Sequence, residues 1–299
     1  MSPDMDIRVL VTRDHEIVSA INRRTGAGLR AVGRAPHGEQ GGAIFAEWPD
    51  GRPAVVTRFP GLLAEAKRTA ELLAYVRDQG LPVPRHDLVV ELNDGVMFVQ
   101  ERLPSAPPRR LTPARVDAMV EINDRFAGAL AARPDVPVPP QYLDRSSDPH
   151  PRHEAVAAYS KRSRRVLNDI LRICRREPLE VAGNDLVHID LTAANVLFDE
   201  NDRATGVVDW NFGAYRGDRL FALVQTRIDR EYFVQSPDAD PVENAAAAHL
   251  DEILVDRIAP ATLRQYWAHW MLHQLCWVVQ SAPPAVVEWH LDMAEARLA

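Results

Sequence analysis

A chain of 299 residues, 46% apolar and 26% charged, can bury a large core in two lobes or domains and has the balance of an ordinary globular protein. A formal net charge of -7 argues against non-specific nucleic-acid binding and leaves room for a cationic ligand. No run is long enough to span a membrane, the N-terminal stretch lacks a signal-peptide apolar core, and the only cysteines, Cys174 and Cys276, read as reduced buried thiols, so the expectation is a cytoplasmic chain without a membrane partner.

In chain order, HGEQGG (37–42) comes first, a glycine cluster just before a strand, where backbone N–H groups can approach phosphates; Gly38, Gly41 and Gly42 are its candidates. The apolar runs AIFAEW (43–48) and AVVTRF (54–59) flank PDGR and predict a β-hairpin. Residues 62–79 carry Leu62, Leu63, Ala66, Leu72, Leu73 and Val76 at helical spacing, with Gly80 as the stop. LPVP then forces an extended segment, and DLVVEL and VMFVQERL read as two strands joined by NDG. The first hundred residues are therefore mostly sheet with one helix. The proline-rich LPSAPPRR (103–110) reads as a hinge between a region 1–103 and a mainly helical region 104–299.

Beyond it, a helical pattern starts at LTPARVDAMVEINDRF, and an irregular stretch follows at 134–154. EAVAAYSKRSRRVLNDILRICRRE (154–177) reads as one helix, and DLVHID, NVLFDE and ATGVVDW as strands. Three helices close the chain: one around 245–258, one around 261–279, and one after Pro283–Pro284. His269 and His273 stand four apart on the second of these, but no third ligand is evident nearby and packing or surface roles are favoured. His150 and His153 read as solvated loop groups, and KRSRR (161–165) as an exposed helix face.

The chemistry concentrates in LVHIDLTAANVLF (186–198), which holds a polar H-x-D-x-x-x-x-N inside an apolar frame. Asp190 and Asn195 precede a strand, and Asp209 ends the next one. The hairpin is expected to gather the three at one edge, as a site for a hard cation such as Mg²⁺ with one carboxylate in reach of a hydroxyl proton. A phosphoryl-transfer enzyme of kinase type uses this arrangement.

Residues 188–224, HIDLTAANVLFDENDRATGVVDWNFGAYRGDRLFALV, resemble the signature of the aminoglycoside phosphotransferase family, relatives of choline kinase and the protein kinases. AVVTRFP, GLPVPR and MFVQERLP extend the resemblance, which covers most of 38–225. It implies an α+β, two-lobed protein-kinase-like fold, with a small mainly-β nucleotide-binding N-lobe carrying one helix and a larger mainly helical C-lobe for catalysis and the acceptor. Carried over residue by residue, it implies Asp190 as the catalytic aspartate, His188 as a prop of its loop, and Asn195 and Asp209 as Mg²⁺ ligands. Asp218 steadies the loop, the backbone from Glu101 to Leu103 faces the adenine, and Arg58 stands in for a lysine that steadies the phosphates. An acidic partner for Arg58 is missing at Thr69; Glu65 is the candidate, with Glu71 or no partner as alternatives. Ile189 and Ala194 stand where relatives often have glycine. Trp267, Trp270 and Trp277 form a tail-helix stripe that reads as core or as part of the acceptor wall.

The resemblance implies transfer of the γ-phosphoryl of ATP or GTP, with Mg²⁺, to a hydroxyl of a small-molecule antibiotic, giving resistance. Aminoglycosides lead, and a cationic peptide or nucleoside antibiotic stays open. The alternatives are a metabolic kinase of choline or homoserine type and an inactive nucleotide-binding pseudokinase.

Overall fold

The computed structural model describes residues 7–35, 42–140, 143, 153–176, 181–234 and 239–299. The chain divides into two units: 1–105 together with 206–214, and 106–205 together with 215–299.

The first unit opens with α1 (Ile7–Thr25), followed by β1 (Arg30–Arg34), β2 (Ile44–Glu47), β3 (Pro53–Phe59), α2 (Leu63–Asp78), β4 (His86–Leu92) and β5 (Gly95–Glu101). The strands form one antiparallel sheet in the order β1-β2-β3-β5-β4. The predicted hairpin is β2 and β3, whose turn is closed by Trp48 N–H to the Arg52 carbonyl at 2.9 Å and uses Gly51 at φ 83°. Strand alternation sorts the apolar side chains onto two faces. Ala54, Val56, Met97 and Val99 pack with Val18 and Ile21 of α1, while Phe59, Val96 and Phe98 pack with Ala66 of α2. The sequence reading of one helix here is corrected to two. The apolar stripe of α1 is thin, and the sheet face it covers supplies the drive to fold that its own pattern does not announce.

The second unit contains α3 (Pro113–Asp124), α4 (His153–Tyr159), α5 (Lys161–Arg176), β6 (Asp185–Val187), β7 (Val196–Phe198), the start of β8 (Ala204–Val207), β9 (Tyr215–Gly217), α6 (Leu220–Asp229), α7 (Glu231–Val234), α8 (Pro241–Arg257), α9 (Pro260–Ser281) and α10 (Pro284–Leu298). Proline at the first helical position starts α8, α9 and α10, where a missing N–H costs nothing. The helix expected over 154–177 is two helices. Ser160 interrupts it through a reciprocal cap: Ser163 N–H donates to Ser160 Oγ and Ser160 N–H to Ser163 Oγ, each at 3.0 Å. α9 is buried along most of its length and is the core helix of this unit. Cys276 is buried but Cys174 is only partly so, which corrects one of the two thiols. No helix among the described residues is long and apolar enough to cross a membrane.

Candidate active site

In the second unit, β6 carries the chain into the motif loop. β6 is anchored against β9, and Gly183 makes a close approach possible there: a Cβ at this position would run into the Gly217 carbonyl. His188 follows, 2% exposed, and its Nδ1 accepts the backbone N–H of Asp190 at 3.1 Å. The Asp190 carbonyl then accepts Thr192 N–H at 2.9 Å, and the Thr192 carbonyl accepts Asn195 N–H at 3.0 Å, winding the loop into a tight 3₁₀ turn before β7. The Asn195 side chain turns back: Nδ2 donates to the Asp190 carbonyl at 2.8 Å and to its Oδ2 at 3.1 Å. With both amide protons turned to Asp190, Asn195 has Oδ1 left to offer a cation. One residue that the sequence reading missed ties this loop down: Thr226 of α6, 1% exposed, donates its hydroxyl to the Leu191 carbonyl. Ile189 and Ala194 need no glycine. Asp202 and Asp209 are the only non-glycine residues with positive φ among those described, and Ala194 is exposed.

Asp209 belongs to the first unit. Its backbone is left-handed, φ 62° and ψ 54°, a conformation aspartate tolerates better than most residues. Trp210 is buried behind it and donates Nε1–H to the Val207 carbonyl at 2.9 Å. Asn211 Nδ2 donates to Asp209 Oδ1, and Asn211 Oδ1 accepts the Thr57 hydroxyl at 3.1 Å. Burial pushes the Asp209 carboxyl up from the ordinary carboxylate range, and the Asn211 hydrogen bonds oppose this without cancelling it. No basic side chain pairs with it among the described residues, so its charge is left for a cation to balance.

Other expected residues fall elsewhere. Arg58 pairs across with Met97, on the α1 face of the sheet, and its guanidinium donates to the Asp94 carbonyl. Thr57, the neighbour that alternation turns the other way, faces Asn211 instead. The expectation that Arg58 serves the phosphates beside Asp209 is therefore corrected: the two lie on opposite faces of β3. Glu65 is not its partner either, because Oε2 accepts the Leu62 N–H at 2.9 Å and caps α2. Thr69 is buried in α2 and Glu71 is exposed. Glu101 ends β5 with its N–H bonded to the Arg85 carbonyl at 2.8 Å, so among Glu101 to Leu103 that donor is already used. Gly42 has φ 71° just before β2; Gly38, Gly41 and His150 lie outside the described residues. Asp218 bonds to the start of α6 and to α9: it accepts Leu220 N–H at 2.9 Å and the Tyr266 hydroxyl at 2.7 Å. The tie from α6 to the motif loop is the Thr226 hydroxyl on the Leu191 carbonyl. Trp267 and Trp270 are 2% and 3% exposed and belong to the core, the latter donating Nε1–H to the Phe221 carbonyl at 2.9 Å. Both are corrected as acceptor residues; Trp277, 51% exposed, is the one aromatic of the stripe on the surface. His269 packs edge-on against Phe221 with ring centroids 4.9 Å apart.

The sequence model of a phosphotransferase enzyme family matches residues 34–266. No curated protein matches the sequence. Solved structures share the fold at low identity. A thermostable mutant of aminoglycoside phosphotransferase APH(4)-Ia, in ternary complex with ADP and hygromycin B, is 17% identical over 93% of this chain and 96% of that one, with a TM-score of 0.58. The GDP complex of a mutant aminoglycoside 2'-phosphotransferase-IIIa is 14% identical over 94% and 96%, with a TM-score of 0.57. An aminoglycoside phosphotransferase from Alicyclobacillus acidocaldarius is 14% identical over 90% and 89%, with a TM-score of 0.56.

Proposed function

Because this chain belongs to the phosphotransferase enzyme family, with a mixed α+β fold shared with kinase-like aminoglycoside phosphotransferases, we propose that it moves the γ-phosphoryl of ATP or GTP to a hydroxyl of a small-molecule antibiotic in the cytoplasm, conferring resistance. The observation that carries the reading is the hydrogen-bonded group of His188, Asp190 and Asn195. His188 fixes the backbone of Asp190, and Asn195 fixes the carboxylate, so a hydroxyl brought to Asp190 meets a preset acceptor for its proton.

Asn195 and Asp209 are assigned as the holders of Mg²⁺. Their donors fit: an amide oxygen whose nitrogen is turned away, and a buried carboxylate without a basic partner. Among the described residues no three His, Cys, Asp or Glu side chains cluster as a closed cage. Oxygen donors suit a hard cation that keeps waters and takes its remaining oxygens from nucleotide phosphates. When bound, Mg²⁺ neutralises charge on the phosphoryl oxygens. Nucleotide binding is assigned to the sheet unit, residues 1–103 with Gly42 and the backbone of Arg102 and Leu103, and acceptor binding to 104–299, where Trp277 offers an exposed ring for stacking.

The acidic balance of the chain and the hygromycin B complex of the fold relative both support a cationic aminoglycoside as the acceptor class to test first. One observation favours the pseudokinase alternative: the β3 residue turned toward Asp209 is Thr57, with no cation in that place. Incubation with ATP, Mg²⁺ and a panel of aminoglycoside, peptide and nucleoside antibiotics, read by an 80-dalton mass gain on the acceptor, on the order of one phosphoryl group, separates the two. Nucleotide binding without transfer to any acceptor, choline and homoserine included, would overturn the enzyme reading.

A further inference from the structure

Four polar side chains of the first unit form one directed chain. Gln100 of β5 donates Nε2–H to the Thr57 hydroxyl oxygen at 3.5 Å, Thr57 donates its own proton to Asn211 Oδ1 at 3.1 Å, and Asn211 Nδ2 donates to Asp209 Oδ1. Each member accepts from the one before and donates to the one after, so the bonds polarise one another toward the carboxylate. Gln100 is 5% exposed, and the nitrogen end of its amide is the one that faces Thr57. On β3 and β5 that face also carries Val55, Phe59, Val96 and Phe98, none of them a cation, and the His86 ring of β4 lies edge-on against Phe98.

We propose that Thr57 and Asn211 are positioning residues for Asp209. The left-handed backbone fixes where the Asp209 side chain starts, and the Asn211 amide fixes how its carboxylate is turned. Thr57 fixes the Asn211 amide in the orientation that can donate. The metal-holding carboxylate is thereby keyed to the β3–β5 register by uncharged groups. The inference rests on the assignment of Asp209 to Mg²⁺ made above. Partners that orient a metal ligand through hydrogen bonds commonly change metal affinity by 10- to 100-fold, roughly, when they are removed.

The test is Mn²⁺ affinity, followed by the electron paramagnetic resonance signal of free Mn²⁺, in the presence of a non-hydrolysable ATP analogue. Thr57→Val and Asn211→Leu keep shape and remove the donors; each is expected to weaken Mn²⁺ binding about tenfold or more. Thr57→Ser is expected to restore near-normal affinity. Because the two act in one chain, the double variant is expected to lose little beyond the worse single variant. Metal-free binding of the analogue is expected to stay within about twofold in all of them, which a general packing defect would not allow. Wild-type Mn²⁺ affinity in Thr57→Val and Asn211→Leu, with loss in Asp209→Asn, overturns this inference alone. Equal losses of metal-free and metal-dependent binding, or no rescue by serine, also overturn it. Unchanged Mn²⁺ binding in Asp209→Asn overturns the underlying metal assignment instead.

Discussion

Asp190 and Asn195 hold each other, which dictates how each responds to change. In Asp190→Asn the backbone carbonyl still accepts Asn195 Nδ2–H, and the new amide can turn its oxygen to the same donor, so the loop should persist. What is lost is the proton acceptor: kcat should fall by a factor on the order of 10² or more, with nucleotide affinity nearly unchanged. Steady-state kinetics with a confirmed acceptor and nucleotide titration check this, and near-normal turnover would remove Asp190 from the catalytic role. At Asp209 the informative variant is asparagine, which accepts a left-handed backbone; alanine would add strain to the loss of charge. Asp209→Asn should abolish the thermal stabilisation that Mg²⁺ adds to nucleotide, and an undiminished shift would exclude it as a ligand. The group of His188, Asp190 and Asn195 was legible because one loop carries all three at fixed spacing. Arg58 was misread because a sequence shows that a strand has a cation but not which face looks at the site; that depends on pairing of β3 with β5. Thr57, Asn211 and Thr226 carried no signal, since a buried hydroxyl or amide acquires a role only from its partner.

Among the elements, β6 is the short strut that delivers His188. Gly183→Ala would press a methyl group into the Gly217 carbonyl, and backbone cannot yield as a side chain can. The cost should be about 1–3 kcal/mol of overall stability, with a loss of kcat larger than that of a comparable change on α5. Denaturant melts and kinetics on the same variant test it; unaltered stability would mean that β6 and β9 can separate freely. The strands and tail helices were legible from periodicity and from the prolines that start them. The break between α4 and α5 was not, because the apolar period runs on through Ser160 while two hydroxyl groups compete for the backbone. The tryptophans of α9 show the same ambiguity. A stripe of large aromatics marks a buried helix, yet burial on almost every side makes Trp267 and Trp270 core.

For the whole molecule, acid should be destabilising well before the carboxylates titrate. Burial lowers His86 from 6.5 to about 4 where its ring meets Phe98 edge-on, and burial lowers His273 to about 4 as well. The sign follows directly: a folded state that favours neutral histidine holds its advantage above the unfolded pKa of 6.5 and loses it as pH falls from there toward 4. By roughly pH 5 each ring should cost about 2 kcal/mol. His86→Phe should flatten that part of the stability–pH curve measured by chemical denaturation, and an identical slope in the variant would show that His86 does not contribute. The return of 206–214 to the first unit left no mark in the sequence, since no composition change accompanies it. That return has a consequence during synthesis. Val207 N–H bonds to the Pro82 carbonyl at 2.8 Å, and Thr57 waits for Asn211. A nascent chain that has passed residue 105 lacks both, so the sheet unit must stay incomplete on the ribosome until about a hundred further residues have emerged.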